Sequence, residues 1–168
     1  MKKLIAFISF LSFCFLSVQA QDNKANAAKL NKQAEAAYNR VLTNTNRDSL
    51  TVYRAVVDGI TYSLKCEEYD RMPNRKGKVK TEFGEQNMLR VTTLYPMLID
   101  AGQFLLKNSY TKVEGQKALE LYLTARNNPM VIDIPDESGI AAYYLAYDYL
   151  KSRNFRMAEK YADIAMQY

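Results

Sequence analysis

The sequence predicts an all-α fold in which antiparallel helix hairpins stack side by side, and three observations predict it. Apolar residues recur at three- and four-residue spacing through most of residues 22–168, the periodicity of helices with one buried face. The interruptions are short and carry helix-starting or helix-ending chemistry, as in "TNTNRDS" and "NNPMVIDIPDESG". Small residues repeat along the last two hairpins: Ala118 and Ala158, and Ala125 and Ala165, each stand 40 residues apart. Such residues let two helix axes approach closely.

Residues 1–20 read as a signal peptide rather than part of the fold. Lys2 and Lys3 form a basic end, Leu4 to Val18 an apolar stretch, and Val18-Gln19-Ala20 a site with the small residues a signal peptidase accepts. The apolar run is shorter than the roughly 18 to 20 residues a membrane span needs, and Phe13 stands before Cys14 where a lipobox would carry a small residue. Cleavage after Ala20 implies an exported chain, periplasmic or at the cell surface. The remaining 148 residues suit one domain. They carry 21 basic against 18 acidic side chains, a net of +3 that is too mild to imply nucleic acid. Cys66 is then alone, which excludes an intramolecular disulfide, and the chain has no His.

Residues 22–70 read as an irregular opening hairpin. Its first helix, about 22–44, has Ala25, Ala28, Ala34, Ala37, Tyr38, Val41 and Leu42 as its apolar stripe, and Asp48 or Asn46 is placed to cap the second. That helix, about 49–69, buries Leu50, Tyr53, Val56, Val57, Ile60 and Leu64, and Gly59 weakens it or admits a close neighbour. Residues 71–84 form a basic loop with Arg71, Arg75, Lys76, Lys78 and Lys80 around Pro73 and Gly77. Two readings stand for it, a solvated connector or an anion site, and the connector is favoured.

A second hairpin covers 85–127. Its first helix, about 85–107, carries Met88, Leu89, Leu94, Leu98, Ile99, Leu105 and Leu106, with Pro96 either kinking it or dividing it at Tyr95. Thr111 and Glu114 have the spacing of a capping box for the next helix. Val131 to Ile134 is too short for a strand and reads as a crossover. The last hairpin covers 136–168, capped by Ser138 or Asp136 and divided at Lys151-Ser152-Arg153-Asn154. Ala142, Leu145, Ala146 and Tyr149 define one packing face, and Phe155, Ala158, Tyr161, Ala162 and Ala165 the other. The helical face on which the chain stops is expected to continue into further residues or to pack against a partner.

Leu145-Ala146 with Tyr149, followed by Ala158, resembles the Leu-Gly-x-x-Tyr and packing Ala of the tetratricopeptide repeat. Ala101-Gly102, Ala118, Tyr122, Ala125 and Pro129 supply an upstream copy. Ala142 and Ala162 depart from the pattern, standing where the repeat has Trp and a large aromatic, and the 40-residue offset exceeds the usual repeat of about 34. HEAT-type repeats are the second architecture the period allows. The leader and the Lys-, Asn- and Tyr-rich chain are similar to exported proteins of Bacteroides-type bacteria.

The resemblance implies a short solenoid that holds a protein or peptide on its concave face, with no catalysis and no cofactor. In that register Tyr143, Tyr147 and Lys151, with Ile99, Gln103 and Lys107, line the concave side. A glycan-binding accessory of the cell envelope is the alternative, since Tyr can stack on sugars. Self-association through the C-terminal helix is a further expectation. The densest acidic cluster, Glu67, Glu68 and Asp70, follows a surface helix and has no facing carboxylate, so an enzyme is the least favoured class. No metal site is expected.

Overall fold

The computed structural model describes the backbone of residues 2–44, 48–74 and 76–168, and the side chains among them from residue 23 onward. Among the described residues it is entirely helical: α1 Lys2–Thr43, α2 Ser49–Asp70, α3 Gly84–Leu94, α4 Met97–Leu106, α5 Lys112–Ala125, α6 Ser138–Lys151 and α7 Phe155–Ala165. The leader expected at residues 1–20 falls on the part of α1 whose side chains lie outside the described residues. Among the described residues no helix is long and apolar enough to cross a membrane.

Three antiparallel pairings organise the chain: α1 with α2, α4 with α5, and α6 with α7. α2 also packs on α3 and α4, and α5 on α6, so each pair leans on the next through its second helix. α2 is therefore covered on several sides, which is why its buried set includes Ser63, Cys66, Glu67 and Asp70 beside Val56 and Ile60. Gly59 sits where a Cβ would come within 2.6 Å of Leu94 Cδ1. On α1 the seam uses Ala27 with Ala34 and Ala37, whereas Ala25 and Leu42 face solvent, contrary to the apolar stripe expected from sequence.

Pro96 has no N–H to give, and the long third helix divides there. Tyr95 still donates to Val91 O at 2.9 Å, and Leu98 N bonds Tyr95 O at 3.1 Å, a tightened turn that joins α3 to α4 without leaving helical dihedrals. Beneath the kink the Tyr95 and Tyr122 rings stack 4.3 Å apart. Tyr95 Oη donates to the Tyr122 carbonyl at 2.7 Å, and Tyr122 Oη accepts from Glu137 N at 3.0 Å. Both hydroxyls are held protonated, chiefly by burial. Met130 and Val131, in the turns between α5 and α6, complete this core; among residues 130–134 there is no strand.

One expected cap forms at Asp48, whose Oδ1 accepts from Leu50 N at 3.1 Å, whereas the N-cap position of α6 is Glu137 and carries no side-chain cap bond; Asp136, one residue earlier, accepts from Ser138 N at 2.9 Å. Asn46 lies outside the described residues. The capping box at Thr111 does not form. The Thr111 hydroxyl instead donates to Leu105 O at 2.7 Å, and Glu114 pairs with Arg54 of α2 at 2.6 and 2.8 Å. Both side chains are spent tying α5 to its neighbours.

Candidate functional site

α4 and α6 are the first helices of successive hairpins and lie against each other. Gln103 of α4 and Lys107, which caps its C-terminal end, are one helical turn apart, as are Tyr147 and Lys151 on α6, so each pair points from one face. Together with Leu106 and Tyr144 these four side chains line a cavity of about 300 Å³. Asp148 reaches the same cavity, but its carboxylate is held by Lys112 at 3.0 Å and Gln116 at 2.8 Å. Lys151 stands 5.2 Å over the Tyr147 ring, a cation–π geometry. Among the described residues neither Lys107 nor Lys151 forms an ion pair. The cavity is thus lined by two ammonium-bearing side chains, an amide, two tyrosines and a carboxylate already held by Lys112 and Gln116.

Ile99 does not belong to this site. It is only 4% exposed and sits in the core beside Leu98 and Tyr95. α4 is packed by α2, α5 and α6, so the side that carries Ile99 is covered as well, which spacing along one helix does not show. Tyr143 lies on the other side of Tyr147, its ring 6.4 Å away and within 12° of parallel. It faces a second, apolar groove of about 460 Å³ between α6 and α7, walled by Tyr143, Tyr147, Leu150 and Phe155 over a floor that includes Ala158 and Ala162. Phe155, which the helical spacing placed on the packing seam, is 65% exposed at its rim. Tyr144, Leu106 and Phe155 were missed as site residues because one-helix periodicity does not show which neighbour covers a face.

Arg71 folds back on Glu67 at 2.6 Å, and Lys76, Lys78 and Lys80 are exposed. Asn74 closes the turn, its Oδ1 accepting from Lys76 N and Lys78 N at 2.9 and 3.1 Å, with Gly77 at φ 71°. Arg75 lies outside the described residues. The acidic cluster at the end of α2 proves largely internal rather than a surface feature: Asp70 is fully buried and Glu67 nearly so. Asp70 accepts from Glu82 N, Phe83 N and Lys24 Nζ at 2.7, 2.9 and 2.9 Å. Burial pushes its carboxyl up, but the Phe83 amide, the Lys24 ammonium and the Glu82 amide outweigh that and hold it below its ordinary value. Glu67 is taken by Arg71 and by Asn87 at 3.2 Å. Both carboxylates clamp the 71–84 loop between α1, α2 and α3.

A third recess, about 340 Å³, holds Asp58 beside the Arg54–Glu114 pair, with Lys117 and Leu105. Burial raises the Asp58 carboxyl against the opposing pull of Arg40. Cys66 is buried, donates to Ala27 O at 3.3 Å, and is pushed up by burial, so it rests as a thiol. Among the described residues no group of three or more His, Cys, Asp or Glu could hold a metal ion. No family model matches the chain, and neither a curated protein nor a solved structure matches it.

Proposed function

We propose that the protein is a non-catalytic binding scaffold: an exported, tetratricopeptide-like stack of helix hairpins whose leader is removed after Ala20, and which holds a protein or peptide partner in the cavity between α4 and α6. The observation that carries this reading is the convergence of Gln103, Lys107, Tyr147 and Lys151 from two successive first helices on one cavity. Exposed aromatic and long cationic side chains at the rim of a preformed recess suit recognition, because aromatic rings supply contact area with few rotatable bonds. The test uses the chain as bait on a solubilised envelope extract, beside a Lys107→Ala/Tyr147→Ala variant of equal helicity by circular dichroism. A partner retained by the first and lost by the second supports the reading; equal capture by both places binding elsewhere. N-terminal sequencing of the exported form is expected to begin at Gln21.

The near-parallel Tyr143 and Tyr147 rings, half exposed, favour one second reading, a glycan-binding accessory in which they stack on sugar rings. Isothermal titration against a panel of cell-envelope and dietary glycans separates the two: no heat from any member removes it.

A further inference from the structure

The apolar groove between α6 and α7 has an internal precedent that states what fits it. The second helices α5 and α7 begin at Lys112 and Phe155. Counted from those starts, the first and fifth residues are Lys112 and Gln116 on α5, and Phe155 and Glu159 on α7. On α5 these two residues meet the following helix, since both hold Asp148 of α6. On α7 the same two places line the groove. α6 lays Ala141, Leu145 and Asp148 on its buried side, at i, i+4 and i+7. A helix resting on α7 as α6 rests on α5 therefore sets its i+7 side chain against Phe155 and Glu159. An acid there, as in α6, would face a like charge. Glu159 forms no ion pair among the described residues.

We propose that the α6–α7 groove is a docking site for an amphipathic helix of a partner protein, small or aliphatic at i and i+4 and basic at i+7. A Lys or Arg at that place lays its methylene stem on Phe155 and its charge on Glu159. Ala158 and Ala162 on the floor let the helix axis come close, and Tyr143, Tyr147 and Leu150 close over its side. This surface is separate from the α4–α6 cavity, and Tyr147 is the ridge between them.

The probe is a peptide with the sequence of residues 138–151 and Asp148→Lys, held helical by a lactam bridge on its solvent face because a short free helix is marginal in water. Its binding to the full chain is read by fluorescence anisotropy beside the unaltered 138–151 peptide, bridged in the same way. The Lys peptide is expected to bind on the order of tenfold tighter. Glu159→Lys in the protein should reverse that preference, and Ala162→Glu should abolish both. Lys107→Ala should leave both unchanged, which keeps this result independent of the α4–α6 reading. Equal affinity for the two peptides, binding that survives Ala162→Glu, or no binding to a chain of native helicity would overturn the proposal. So would a dimer, seen by sedimentation and removed by Ala162→Glu, which would give the groove to a second copy.

Discussion

Asp70 shows how one side chain is turned from apparent chemistry to structure. With no exposure and three donors converging on it, the carboxylate replaces the water it lost by two backbone amides and an ammonium. Asp70→Asn keeps the volume but sets an NH2 among donors, and is expected to cost about 2–4 kcal/mol in urea unfolding. The pH dependence follows from the sign of the shift. A carboxyl held below its ordinary value of 3.8 stabilises the fold above that value, and the contribution fades as pH falls through the lower, folded one. The wild-type advantage over Asp70→Asn should therefore be constant near neutral pH and shrink below about pH 4; an advantage independent of pH would mean that the charge is not what holds the loop. Arg153 offers the opposite case, a residue in the wrong place for its chemistry. It takes φ 58° just after α6, while its N–H bonds Leu150 O at 3.0 Å and Asn154 N bonds Tyr149 O at 2.9 Å. That paired pattern ends helices with a left-handed residue, normally glycine. Arg153→Gly should raise stability by about 0.5–1 kcal/mol, since the left-handed strain exceeds the extra chain entropy; a lowered melting temperature would show that the Arg side chain contributes more than the strain costs.

At the scale of elements, the contact between α4 and α5 is backbone to backbone. A Cβ on Gly115 would lie 2.7 Å from Leu106 N and 2.9 Å from Gly102 O, and one on Gly102 would lie 2.4 Å from Leu119 Cγ. Propensity alone says that Gly115→Ala inside a helix gains up to about 1 kcal/mol. The seam reverses the sign, because main chain cannot step aside as a side-chain tip can, and a loss of about 1–3 kcal/mol is expected in thermal or urea melts. A gain would mean that α5 can shift outward freely. The same seam marks what was legible beforehand. Apolar periodicity revealed the helices, because each has one covered face, and it revealed Tyr143, Tyr147, Gln103 and Lys107 as residues off the seam. It misplaced Met88 and Leu89, which are exposed, because α3 turns the polar Asn87 and Arg90 inward against the buried polar end of α2. Arg90 donates to Asn31 of α1 at 2.7 Å there, a partnership between residues far apart in sequence. Ile99 failed for a related reason: α4 is covered by α2, α5 and α6, and which neighbour covers a face is a three-dimensional fact. Cap residues were readable only where a single side chain sufficed. At Thr111 a tertiary acceptor, Leu105 O, and at Glu114 a tertiary cation, Arg54, outcompeted the local box.

At the scale of the whole molecule, each hairpin among the described residues touches only its neighbours, and the consequences for stability are directional. α2 is packed by α1, α3, α4 and α5, whereas the backbone of α7 contacts that of α6 alone among the described helices. Beyond that seam α7 is held by specific side chains. Tyr161 Oη donates to Glu120 at 2.9 Å and stacks on Tyr149, and Tyr168 packs on Gly139 and reaches Asp136 at 3.2 Å. Opening a helix packed on one neighbour breaks one interface, while opening a helix packed on four breaks several. Native-state hydrogen exchange should therefore find α7 amides opening at a free energy well below that of α2, with α4 and α5 near the global value. Tyr161→Phe should widen the gap, because it removes the Glu120 bond but keeps the ring stacked on Tyr149; the cost of about 1 kcal/mol should fall on α7 exchange and leave α2 nearly unmoved. If α7 and α2 exchange at the same free energy, and both fall together in the variant, the hairpins form one cooperative unit. The groove on α7 would then lie on a surface as rigid as the core. If α7 opens first, its partner helix binds the least stable unit of the stack, and binding should raise α7 protection before that of any other helix.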